Sequence, residues 1–240
     1  MTRAAWLARR AHAWGCSELP ALWLAADPSL EAPAYLRQRI GLPRGHKRMR
    51  FILEKAGIVE SRSAGGAAAR GTERERELLE QYTEQLRRGI VQGIEPDSIR
   101  HADSMPSELL PIIDRHQPRL ACTPDAWGRD SFGILHALEL KCSVTERTAL
   151  PWYWALQVQG EMACMGADGG YLICGEYWAA HHGQDGPIRV WEVERDETTI
   201  KRARQLCADF WEAVEFVKDL GREAAQRVSS AAVIAAEGSA

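Results

Sequence analysis

The spacing of apolar residues changes character part-way along the chain. Over residues 1–90 it repeats at helical intervals. RAAWLARRAHAW sets Trp6, Leu7 and Trp14 on one side of a helix. GCSELPALWLA predicts a second helix, with Ser17 at the N-cap position and Pro20 in the first turn. APAYLRQRIG and HKRMRFILEKAG read as short helices stopped by glycine, SRSAGGAAARG as a loop, and TERERELLEQYTEQLRRG as an amphipathic helix. Then the period shortens. LACTPDAW and GILHALELKC are brief apolar runs bounded by turn residues, which predicts strands. WYWALQVQGEMACMG returns to helical spacing, GYLICGEYWA and IRVWEVER predict two more strands, and a long closing helix starts from a cap at Asp196. The final stretch, AAQRVSSAAVIAAEGSA, shows no clear apolar face and is expected to fray. Helices followed by strands, a helix, strands and a helix imply an α/β (α+β) fold with a small mixed central sheet flanked by helices. There is no internal repeat.

Composition narrows the class. No apolar run reaches membrane-spanning length, and the arginines near the N-terminus precede no apolar signal core, so a cytoplasmic protein is expected. Six scattered cysteines form no CxxC pair, which speaks against a zinc ribbon and for reduced, mostly buried thiols. The formal net charge is −3, so a nucleic-acid partner would have to meet a local basic surface. YLRQRIGLPRGHKRMR is one candidate; an ordinary solvated face is the alternative. His181 and His182 are adjacent in a loop-like stretch and project apart, which makes them a poor metal pair.

The chemistry concentrates in TPDAWGRDSFGILHALELK. Residues two apart in a strand share a face, so Glu139 and Lys141 point one way and Leu138 and Leu140 the other. Asp125 ends the preceding segment, one hairpin away, and strand pairing can set it beside Glu139. Two carboxylates in contact repel each other. A divalent cation relieves that, and hard oxygen donors select Mg2+, with Mn2+ as a substitute. A lysine two residues on can steady a water near such an ion, the equipment of phosphodiester hydrolysis. An isolated Asp…Glu-x-Lys string also arises by chance on exposed strands. Here Leu138 and Leu140 flank the acid in an apolar segment, where a buried carboxylate without a purpose is costly.

In this order, TPDAWG, LELKC, PWYWALQVQGEMACMG and VERDE resemble the phage lambda exonuclease / YqaJ-type viral recombinase family. That family belongs to the restriction-endonuclease-like PD-(D/E)xK nucleases. WLARRAHAWGCSELPAL and ARGTERERELLEQY extend the resemblance upstream. The resemblance implies a single nuclease domain over 1–224, with a helical segment 1–90, a core 91–224, and 225–240 as a flexible tail. It implies Asp125, Glu139 and the Leu140 carbonyl as metal ligands, and Lys141 as the group positioning the attacking water. Glu75 matches the helix acid near the metal, and either Gln157 or Gln159 matches the motif glutamine. Arg10, Ser17 and Tyr153 match substrate-binding positions. The implied activity is Mg2+-dependent 5′→3′ digestion of linear duplex DNA ends to leave 3′ single strands. The implied setting is phage-type recombination, with a ring-shaped homotrimer, a single-strand-annealing recombinase as partner, and a phage or prophage origin.

The chain also departs from the pattern. Ser143 follows Cys142 where the family often has Pro, and the stretch between Asp125 and Glu139 is long, so GRDSFG is expected to protrude. A second acidic ligand is not assignable between Ile99 and Gln117, although Asp114 is available. An endonuclease on the same core and a non-catalytic DNA-binding subunit are the competing readings.

Overall fold

The computed structural model describes residues 12–34, 36–37, 48–58, 66–106, 109–143, 147–176 and 187–237, with backbone only for 48–51, 66–73 and 224–237. In chain order the strands are β1 (Trp14–Gly15), β2 (Arg100–His101), β3 (Ile112–Ile113), β4 (Leu120–Cys122), β5 (Ala126–Arg129), β6 (Leu135–Ser143), β7 (Gly169–Glu176) and β8 (Ile188–Glu194). The α-helices are α1 (Leu19–Ala26), α2 (Arg48–Lys55), α3 (Gly66–Arg87), α4 (Trp152–Met165) and α5 (Glu197–Glu237). The architecture is mixed α/β with flanking helices, as the hydrophobic pattern implied, but it holds two mixed sheets where one was expected.

The larger sheet runs β2-β5-β6-β7-β8, and the smaller β1-β4-β3. Strands β5 and β6 form an antiparallel hairpin, whereas β6 and β7 are parallel and joined through α4. A parallel pair needs such a crossover, so α4 necessarily lies on one face of the sheet. Val158 and Met162 of α4 pack there on Ala137, Leu172 and Cys174. Helix α3 covers the opposite face, where Leu78, Leu79, Tyr82 and Leu86 meet Leu138, Leu140 and Ile173. The other side of α4, with Tyr153, Leu156 and Ala163, closes a third cluster with α1 and α5.

This layering fixes the register of β6. Leu138 and Leu140 have no exposed surface, and burying each is worth roughly 1.5–3 kcal/mol. A one-residue slip would turn Glu139 and Lys141 into the α3 layer instead.

Several local expectations are corrected. Most of the helix expected over residues 3–14 lies outside the described residues. Its last residue, Trp14, is a strand residue paired with Leu120, and its indole N–H donates to the Cys207 carbonyl at 3.2 Å. Ser17 is not an N-cap. It sits inside a 3-10 turn, Cys16–Glu18, and Glu18 holds the capping position of α1 while its carboxylate accepts from the Gly15 N–H at 2.7 Å. Helix α3 starts at Gly66, within the stretch read as a loop, because its alanines favour helix. Helix α5 continues to Glu237 rather than fraying after residue 224; the Ala-rich tail contains no proline to stop it. The Asp196 cap is as expected, accepting from the Thr198 N–H at 2.9 Å. Among the described residues no helix is long and apolar enough to cross a membrane.

Candidate active site

Pairing of Ala126 with Leu138 sets Asp125 across from Glu139 at the point where β5 begins. Opposite residues of an antiparallel pair share a face. Beyond that point the Leu140 N–H has no β5 carbonyl to meet. The Asp125 carboxylate takes its place, accepting that N–H through Oδ2 at 2.9 Å. Glu139, 1% exposed, turns toward α4. Its Oε1 accepts from the Lys141 ammonium and from Gln157 Nε2, the latter at 2.7 Å. Its Oε2 has no hydrogen-bond partner in the protein.

Carboxyl groups crowd this corner. Burial raises the pKa of Asp125, and the Glu139 charge raises it further, against the pull of Lys141. Glu161, on α4, is likewise pushed up by burial and by Glu139. Glu75, on α3, is raised by burial; it feels both Lys141 and Glu139. Burial lowers the pKa of the Lys141 amine, but Glu139 and Asp125 outweigh that and hold it above its usual range. Four carboxyl groups thus share the neighbourhood of the Lys141 amine, and further positive charge there is favourable.

Asp125, Glu139, Lys141 and Gln157 line a cavity of about 180 Å³ together with Ser17, Cys16, Cys122 and Thr123. That is room for about six waters, enough for a partly hydrated ion and a phosphoryl group. Among the described residues no three His, Cys, Asp or Glu side chains form a ready-made metal cage. The donor set suits Mg2+ nonetheless, because that ion keeps several waters and is commonly held by one or two carboxylates. Two carboxylates on one cavity wall, one with a buried oxygen lacking any partner, fit that requirement.

The structure separates the remaining candidates. Gln157 belongs to the cavity. Gln159 does not: its amide donates to the Glu194 carbonyl at 2.6 Å and accepts from the Asp196 N–H at 3.0 Å, tying the end of β8 to the start of α5. Ser17 lines the cavity. Tyr153 does not; it is 8% exposed, packs in the core with Trp14 and Leu19, and borders a separate depression with Arg37 and Arg147. Leu140 contributes its N–H to Asp125, as described above. Arg10, His181 and His182 lie outside the described residues, as do most side chains of the basic stretch. Within that stretch, Arg37 binds the carbonyls of Ala32 and Leu30. Asp114 is not an additional ligand. It is a buried anchor that accepts from the His116 and Gln117 N–H groups and from Arg204 Nε and Nη2. GRDSFG does protrude as a hairpin, with Phe132 87% exposed at its tip.

All six cysteines are free, and all but Cys142 are buried. Cys16 and Cys164 stand 4.0 Å apart, Sγ to Sγ. Burial raises the Cys164 pKa, but hydrogen bonds from Cys122 and Cys16 outweigh it and bring the thiol down to about 6. Reading the sequence missed Glu161. Its signal was available: an acid four residues after a candidate glutamine, on the same face of an otherwise apolar helix.

The chain shares its fold with an alkaline exonuclease. The crystal structure of that enzyme, LHK-Exo from Laribacter hongkongensis, matches with a TM-score of 0.60 at 18% identity, over 93% of this chain and 98% of that one. LHK-Exo in complex with dAMP matches with a TM-score of 0.58 at 19% identity, over the same shares of the two chains. No protein-family model and no curated protein matches the sequence.

Proposed function

We propose that this protein is a Mg2+-dependent deoxyribonuclease that digests linear duplex DNA from its ends. The observation that carries the reading is the convergence of Asp125, Glu139, Lys141 and Gln157 on one cavity within an exonuclease fold. Asp125 and Glu139 would hold the cation, with the Leu140 carbonyl as a backbone ligand in keeping with the family resemblance. When bound, the ion would polarise the scissile phosphate and lower the pKa of a water. The Leu140 N–H keeps the Asp125 carboxylate aimed. Gln157 does the same for Glu139. The charged Lys141 amine steadies the attacking water and offsets negative charge building on the phosphate. Ser17 also lines the cavity, where it can hold a phosphate oxygen.

Polarity from 5′ to 3′, membership of the lambda exonuclease / YqaJ family, a homotrimeric ring and an annealing partner belong to the same proposal. The order of the motifs supports them. A ring would let a chain of net charge −3 gather its basic residues along one channel.

The test uses end-labelled linear duplex with wild type and Lys141→Ala, with and without Mg2+. Nucleotide release that needs the metal and is lost in the variant supports the proposal. Equal digestion by both proteins removes Lys141 from the mechanism. Cutting of closed circles indicates an endonuclease, and intact DNA with either Mg2+ or Mn2+ indicates a binding subunit.

A further inference from the structure

Glu161 is 1% exposed, and its Oε2 has no hydrogen-bond partner in the protein. Burying an acid this way is unfavourable, and an apolar side chain of similar volume would fit α4 without that cost. Its Oε1, however, accepts from Gln157 Nε2 at 3.1 Å, while the same nitrogen donates to Glu139 Oε1 at 2.7 Å.

We propose that Glu161 is a positioning residue for the cation site, acting through Gln157 to hold Glu139 in place. An amide nitrogen has two hydrogens, and here each faces one carboxylate. Turning the amide over would forfeit both of these hydrogen bonds. Glu161 thus supplies a second acceptor that favours this orientation and helps keep the Gln157 nitrogen on Glu139. With Glu139 Oε1 held by Gln157 and Lys141, Oε2 is the oxygen left over for a cation. Without Glu161 only one of the two acceptors that fix the amide remains, and Glu139 would be served by a less firmly held donor. The spacing makes this arrangement local: Glu161 lies four residues after Gln157, one helical turn along α4.

This inference rests on the cation site proposed above, and its test reads binding rather than turnover. Mn2+ affinity is measured by calorimetric titration on the cation-stripped full chain. Glu161→Leu is expected to weaken Mn2+ binding about tenfold or more, the usual effect of removing a group that orients a metal ligand. Its melting temperature without metal should be equal to or above that of wild type. Glu161→Gln keeps an acceptor oxygen for Gln157 and should recover most of the affinity. In a Gln157→Leu background, adding Glu161→Leu should change affinity by less than about twofold. Unchanged Mn2+ binding in Glu161→Leu, equal weakening in Glu161→Gln, or a full effect in the Gln157→Leu background would each overturn the assignment. The background comparison still decides the matter if Glu161→Leu folds poorly by itself. Wild type that binds no Mn2+ would overturn both this inference and the proposed function. Normal wild-type binding with an indifferent Glu161→Leu would overturn this inference and leave the proposed function standing.

Discussion

Gln157 and Gln159 stand two residues apart on one helix and should fail in opposite ways. Gln159 is 6% exposed and holds two backbone groups, the Glu194 carbonyl and the Asp196 N–H. Gln159→Ala strips both, at about 1 kcal/mol each or somewhat more, because water can reach the β8–α5 junction in part. The total of about 2–3 kcal/mol lowers the melting temperature by about 4–12 °C for a domain of this size. Nuclease rate per folded molecule should stay near wild type. Gln157→Ala orphans no backbone group. It removes the donor shared by Glu139 and Glu161; water in the cavity that Gln157 lines can partly take its place, so stability should fall by about 1–2 kcal/mol at most while activity falls about 10- to 100-fold. Thermal melts and initial rates on end-labelled duplex, measured well below both melting temperatures, separate the two variants. The reverse outcome, an inactive but stable Gln159→Ala beside an active Gln157→Ala, would refute the placement of α4 against the site.

Three further outcomes follow from the packing and charge. In Gly160→Ala the new Cβ would lie 2.5 Å from Leu19 Cδ1 and 2.8 Å from Cys16 Sγ; overpacking costs about 1–3 kcal/mol and helix propensity returns about 1. The melting temperature should therefore fall modestly, and activity should fall further because the displaced turn carries Ser17. Arg204→Ala leaves the buried Asp114 Oδ2 without the guanidinium whose Nε and Nη2 both donate to it and should cost about 3 kcal/mol in urea unfolding; a catalytic defect without a stability loss would return Asp114 to the site. Asp125 and Glu161 have folded pKa values raised above their unfolded values near about 4. Through that window the folded state binds more protons than the unfolded, so metal-free stability from these groups is present below about pH 4 and is lost as pH climbs through the raised values. Mn2+ should accordingly raise the melting temperature more at about pH 8 than at about pH 5, and melts showing the opposite order would contradict the charge balance described here.

The pairing of Asp125 with Glu139 and Lys141 was legible because it depends on short-range rules. Strand alternation separates Glu139 and Lys141 from Leu138 and Leu140, and a hairpin brings Asp125 alongside. The choice between Gln157 and Gln159 was not legible. Two residues span about 200° around a helix, so one must face away from the other, and α4 is packed on both sides. Periodicity therefore carries no sign of which side holds the site. Trp14 shows the same limit: its neighbours suit a helix, yet pairing with Leu120 and a bond to Cys207 decide its conformation.

The amino-acid order by itself determined the positions of the main helices, the strands β6, β7 and β8, and the face that Glu139 and Lys141 share, since each follows from backbone geometry over a few residues. Only the tertiary structure decided that Asp114 is an anchor for Arg204, that Tyr153 packs in the core, that Ser17 lines the same cavity as the acids, and that Glu161 stands behind Gln157. Those facts depend on contacts between segments far apart in the chain, where the free energy of burial and hydrogen bonding, rather than local preference, selects the arrangement.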